Sequence, residues 1–376
     1  MRTQRFLRVT LAAALAVLAA FVVAVGFGGW QLQSETDAAA AARQDLVNLG
    51  DTRVGLATTE LAAAQWLAQP DAAHREALAS SLDAALATAR VAGGTASHEA
   101  ALTRAIVPYA MALQHALDST SGDAGALLLD AHVRLTSEVM PALDRLASSR
   151  ESALDASSAD YLAPWILGGA LLAAAVLILL SVLLARRVRR FVNVGLVAAL
   201  AAVGGIWALS LATAVDAGSA TRGRTELRAS QTAAAAGTLS EAVVQVAAAQ
   251  PSLAARATTL RQADLDVLTT AVDDLSDPTT MTAAAKTLTE RETAVLSAAR
   301  TGKAVTDAQL TAVAKAGTAL REQAAEATEE AATSLAELGE RRASAAGLIM
   351  WLVPLVGVAA ATLLVVGLNQ RLQEYR

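Results

Sequence analysis

The sequence predicts an all-α integral membrane protein with four transmembrane helices and two tandem extracytoplasmic four-helix bundles that arose by internal duplication. Composition is the first reason: 54% of residues are hydrophobic, 17% are charged and the mean hydropathy is +0.42, too apolar for an ordinary soluble chain. Four runs without a charged residue, at 9–30, 161–185, 191–215 and 343–370, are each long enough to cross a bilayer as a helix. The third reason is internal similarity, because 5–15 (RFLRVTLAAAL) and 190–200 (RFVNVGLVAAL) share seven of eleven residues. Aromatic residues make up only 3% of a chain rich in alanine, which favours closely packed helices over sheets.

Taken in order, residues 1–8 form a cytoplasmic N-terminus carrying Arg2, Arg5 and Arg8, and 9–30 is the first span. A secretory signal peptide is the rival reading of that run. The matching copy at 190–200 enters from a cytoplasmic turn, where signal peptidase does not act, so the first copy is expected to be retained. Residues 31–160 are the first extracytoplasmic bundle and 161–185 the returning span. The turn 186–190 holds Arg186, Arg187, Arg189 and Arg190, set against anionic headgroups at the cytoplasmic membrane surface. Hemmed in by apolar runs, this cluster is expected to grip lipid and not nucleic acid. The third span is 191–215, the second bundle 216–345, the fourth span 346–370, and 371–376 is a cytoplasmic C-terminus with Arg371 and Arg376. Trp30, Trp165, Trp207 and Trp351 fall one per span, toward the outer interface.

Each outer block is punctuated as four helices. In the first, Pro70 ends one helix and opens the next, Gly93 and Gly94 break the second, Ser97 caps the third, and STSGD at 119–123 precedes the fourth. Pro251 makes the first corner of the second block, LSDPTT at 275–280 the second, and Thr306 caps the last helix after Gly302. The first and last helices of each block are long and are expected to continue into the membrane, with kinks at Pro141, Pro164 and Pro354. Seams at 3-4 spacing run along the last helices, His132, Leu135, Val139, Ala142 and Leu146 in one and Val313, Gly317, Leu320, Ala324 and Ala327 in the other. Their residues shrink toward the membrane, which permits close approach or sliding.

Positions shared by the two copies are the first place to seek chemistry. A second alignment, 60–75 against 241–256, pairs Glu60 with Glu241, Gln69 with Gln250, Pro70 with Pro251 and Arg75 with Arg256. Glu60 shares a helix face with Leu56 and Ala63, and Glu241 with Val244 and Ala248, so both carboxylates sit among apolar neighbours and need a partner. Two readings stand. Either Arg75 and Arg256 pair with these glutamates inside each bundle, or arginine and glutamate together hold a ligand's carboxylate and ammonium groups. Arg53 is a rival arginine, and Trp66 is either core filler or a contact for a partner. All four histidines, His74, His98, His115 and His132, lie in the first block, but no two are spaced as metal ligands on one helix turn and the chain has no cysteine. No metal, no cofactor and no catalytic residue is therefore expected; phosphate loops, nucleophile elbows and zinc-protease signatures are all missing. The blocks carry net charges of -9 for 31–160 and -4 for 216–345, which disfavours nucleic acid and makes the second the better holder of an anion.

Two spans flanking an outer bundle whose first and last helices continue into the membrane resemble the ligand-binding half of bacterial chemoreceptors. Here two such units stand in one chain, so the whole resembles a receptor dimer fused by duplication. In plan and size it is similar to the GlnX-type four-span membrane proteins of actinobacteria. That resemblance implies a transmembrane sensor without its own output domain. Outside, it would meet a small-molecule ligand or an amino-acid-binding lipoprotein; inside, a serine/threonine kinase or adaptor. Membrane lipids complete the expected partners, with self-association left open. The competing expectation is a scaffold or accessory subunit that holds a lipoprotein or transporter without signalling.

Overall fold

A computed structural model describes residues 2–93, 96–119, 122–157 and 217–374, with isolated positions between 174 and 205. Among the described residues the chain is helical and contains no strand. The helices are α1 (Arg2–Ala68), α2 (Ala72–Gly93), α3 (Ala96–Asp118), α4 (Ala124–Arg134), α5 (Met140–Ser157), α6 (Ala217–Ala249), α7 (Ala254–Asp273), α8 (Thr279–Arg300) and α9 (Asp307–Glu374). Among the described residues no helix is long and apolar enough to cross a membrane. Arg186, Arg187, Arg189 and Arg190 lie outside the described residues, as do nearly all of the expected spans 161–185 and 191–215.

Two compact units emerge. The first comprises 1–40, 153–220 and 336–376, and the second 41–152 and 221–335. The greater part of both expected bundles, 31–160 and 216–345, thus falls in the second unit, and their ends fall in the first. In the first unit, α1 exposes Val23, Phe27 and Trp30, and α9 exposes Leu348, Trp351, Leu355 and Val358. In each helix these residues recur every three or four positions, which lines them up on one face.

The second unit is built around α6. Every residue from 233 to 247 is buried, so this stretch of helix has no solvent face. Its small side chains, Ala233 to Ala236 and then Gly237, allow neighbouring helices to approach closely. A β-carbon on Gly237 would stand 2.3 Å from Leu320 Cδ2, and Leu320 is itself fully buried. Leu56, Tyr109, Leu113, Leu129, Leu135 and Leu143 from the first half and Leu268, Leu288 and Leu320 from the second are the largest fully buried side chains of the core. The seams on the last helices behave as their spacing predicts: His132, Leu135, Val139 and Leu146 are buried, as are Val313, Gly317, Leu320 and Ala324.

Local chemistry explains the corners. Pro70 separates α1 from α2, and Asp71 caps α2 by accepting the His74 amide at 2.8 Å. Pro251 opens a short 3-10 turn, Pro251–Leu253, that leads into α7. Thr306 and Gln309 form a reciprocal capping box: Gln309 Oε1 accepts the Thr306 amide at 2.9 Å, and Thr306 Oγ1 accepts the Gln309 amide at 3.3 Å. α8 ends in a Schellman motif in which Gly302, at φ 68°, lets Lys303 N–H reach Ala298 O and Gly302 N–H reach Ala299 O. Ser97, expected as a cap, lies inside α3. Between α4 and α5 the chain winds as a π-helical turn, Leu135–Val139, just before Pro141. Proline has no amide proton to give Ser137 O and its ring crowds that carbonyl, so the helix widens there, with Met140 N–H bonding Leu135 O five residues back.

Candidate functional site

A cleft of about 380 Å³ opens in the second unit between the end of α1 and helices α2 and α3. Trp66 comes from α1, Arg75 and Asp83 from α2, and Gln114 and Asp118 from α3; Leu78 and Leu113 supply a buried apolar floor. The turn capped by Asp71 sets Arg75 on the first turn of α2, where its guanidinium lies 6.0 Å from the centre of the Trp66 ring. Among the described residues Arg75 has no ion-pair partner, and Asp118 accepts the Gln114 side-chain amide at 2.9 Å. One guanidinium, two carboxylates, an amide and an indole above an apolar floor can take a solute bearing both charges and some apolar surface.

Of the six residues singled out in the sequence, only Trp66 and Arg75 meet at this cleft. Neither glutamate pairs with the arginine expected of it. Glu60 accepts a hydrogen bond from His132 Nδ1 at 2.7 Å, and Glu241 accepts one from Arg321 at 2.7 Å. The reason is depth along the hairpin. Glu60 lies about 12 Å from the end of α1, whereas Arg75 lies only about 5 Å into α2, at 1.5 Å per residue. Arg256 instead pairs with Asp130, joining α7 to α4. Arg53 is buried, bonding Asp144 and Thr232 beside a void of about 20 Å³, room for a water and not for a solute. Burial lowers its pKa and Asp144 opposes that shift.

Sequence reasoning placed His132 in its seam without foreseeing its partners, and it missed Asp264 and Arg321. His132 opens the buried seam of its helix, so a polar residue at a core position was the available signal. Asp264 Oδ2 lies 3.4 Å from His132 Nε2, within range of charge attraction but without the alignment of a hydrogen bond. Burial by itself opposes the imidazolium. The charge and hydrogen bond of Glu60, together with the charge of Asp264, outweigh burial and raise His132 to about 9. Asp264 is raised to about 7, chiefly by burial, with His132 pulling the other way. Farther into the second half, Glu292 accepts hydrogen bonds from Ser240 and Arg261 and is raised by burial to about 6. Burial also raises Glu241, and Arg321 limits that rise. Among the described residues no group of three or more His, Cys, Asp or Glu side chains is arranged to hold a metal ion. Comparison with known proteins finds no protein family, no curated protein and no solved structure that matches this chain.

Proposed function

We propose that the chain is a transmembrane sensor. It takes a solute signal outside the cell, an amino acid held directly or delivered by a solute-binding lipoprotein, and passes it to a cytoplasmic partner such as a serine/threonine kinase. The observation that carries this reading is the continuity of α1, which runs unbroken from Arg2 to Ala68. The helix that contains the charge-free run 9–30 is therefore the helix that brings Trp66 to the cleft. A change in how the cleft holds α1 has no break in the backbone at which to be lost. Exposed apolar stripes on α1 and α9 support a lipid setting for those segments, because side chains such as Trp351, 75% exposed, are costly to leave against water.

The test is calorimetry of the full chain in lipid nanodiscs with amino acids, paired with crosslinking in cells to capture cytoplasmic proteins. Arg75→Ala is expected to weaken solute binding at least about tenfold, about 1.4 kcal/mol. Heat-free titrations together with an empty cytoplasmic capture would sink the reading, and capture of transporter subunits alone would favour the accessory role.

A further inference from the structure

Glu60 on α1 and His132 on α4 belong to the first half of the chain, and Asp264 on α7 to the second; the three side chains meet with 2%, 1% and 4% of their residues' surface exposed. Two carboxylates share one imidazole there. Even with the imidazole protonated, full ionisation of both acids leaves one negative charge uncompensated in a buried place, which is costly. Among the described residues no unpaired positive charge cancels it. Arg256 is engaged with Asp130, and Glu292, the other acid facing Asp264, is held by Arg261 and Ser240. Tyr109 from α3, whose hydroxyl is buried without a partner, faces Glu60 and is neutral. Glu60 Oε2 and Asp264 Oδ2 are likewise buried without hydrogen bonds, so the cluster has unused acceptors for a proton.

At the matching position of the second half Glu241 Oε1 is also buried without a hydrogen bond, but the charge there is balanced. Glu241, the counterpart of Glu60, is matched one to one by Arg321, and a glycine, Gly317, stands where the seam of the first half has His132. A β-carbon at Gly317 would lie 2.2 Å from Glu241 Oε2, so the missing side chain makes room for that fixed pair.

We propose that Glu60, His132 and Asp264 form a proton-binding site shared by the two halves of the second unit, whose occupancy sets how tightly α4 packs against α7. With the proton bound, the cluster is a neutral assembly of one imidazolium, one carboxylate and one carboxylic acid. On its release, Asp264 becomes a second buried carboxylate that forces the helices apart or draws water between them. This inference needs neither the solute cleft nor a membrane, so it stands or falls apart from the proposed function.

The sign follows from the shifts. Asp264 is raised to about 7, so the folded chain keeps a proton that the unfolded chain has released. Its contribution to stability is whole below the ordinary aspartate range and is lost as pH rises through about 7. His132, raised to about 9, contributes fully below its ordinary value of 6.5, and that contribution disappears as pH rises through about 9. Both trends weaken the contact as the medium becomes alkaline.

The chain has no native cysteine, so spin labels at Val133→Cys and Val267→Cys, both exposed beside the cluster, report on this contact alone. In the detergent-solubilised full chain, dipolar broadening between the labels is expected to fall as pH is raised from about 5 to about 8.5. Asp264→Asn should abolish that response, and Glu241→Gln should leave it in place. Labels insensitive to pH, or an undiminished response in Asp264→Asn, overturn the proposal. Nitrogen NMR of histidine-labelled unaltered chain keeps the test decisive if the variants do not fold. His132 is expected to hold both ring protons beyond about pH 7, and a neutral imidazole at that pH overturns the proposal equally.

Discussion

Single residues decide which charges in this molecule are fixed and which respond to their surroundings. The sequence makes Glu60 and Glu241 look alike, two carboxylates on apolar faces at matching positions, and both are indeed buried. Their partners were not legible, because the ion pairs form with the last helix of each half and not across the first hairpin. Contacts so distant in sequence leave no local pattern; the distance from the corner along each helix was the one usable clue. Gly317 shows how tightly one such pair is fitted. Gly317→Ala is expected to displace the Glu241 carboxylate from Arg321 and to cost about 1–3 kcal/mol, read as a lower denaturation midpoint in detergent. A midpoint unchanged from the parent chain would mean that the pair tolerates the methyl group.

At the scale of helices, the boundaries were the most legible feature. Pro70, Pro251 and Thr306 mark corners in sequence and in structure because each acts locally, through a missing amide proton or a short-range cap. Thr306→Ala removes the oxygen that accepts the Gln309 amide and should destabilise the fold by about 1 kcal/mol. Gly302→Ala is expected to lose about 1–2 kcal/mol, since an L side chain disfavours φ 68°. Thermal unfolding of the two variants measures both, and equal stability in either would count against the cap it tests. The π-helical turn before Pro141 was only half foreseen. A proline predicts some irregularity, but whether a helix kinks or widens depends on what packs around it, and Leu135 and Val139 in that turn are both fully buried.

On the scale of the whole chain, the expectation of a duplication rests on repeated glutamates, prolines and arginines in the sequence, whereas the way the two polar blocks pack together was not legible there. The greater part of both polar blocks belongs to one compact unit, and α6 owes its burial to residues from each. Its alanine run carries almost no periodic signal, because a helix enclosed on all sides needs no polar face. The cleft likewise belongs to the less basic first half, although net charge pointed to the second for anions; a binding site follows the local arrangement of a few side chains, not the sum over a block. Cysteines introduced at Ala100 and Glu290 test the topology. Both are expected to react with an impermeant maleimide added to intact cells, and a position that labels only after lysis would contradict a shared extracytoplasmic face.

The enclosure of α6 also bears on how the gene can be divided. A polypeptide stopping before residue 216 would leave bare the surfaces that α6 covers, and one starting there would carry a helix stripped along one flank. Produced apart, each fragment is bound for aggregation or degradation. Produced together in one cell, they have reason to find each other and restore by complementation what a single chain guarantees.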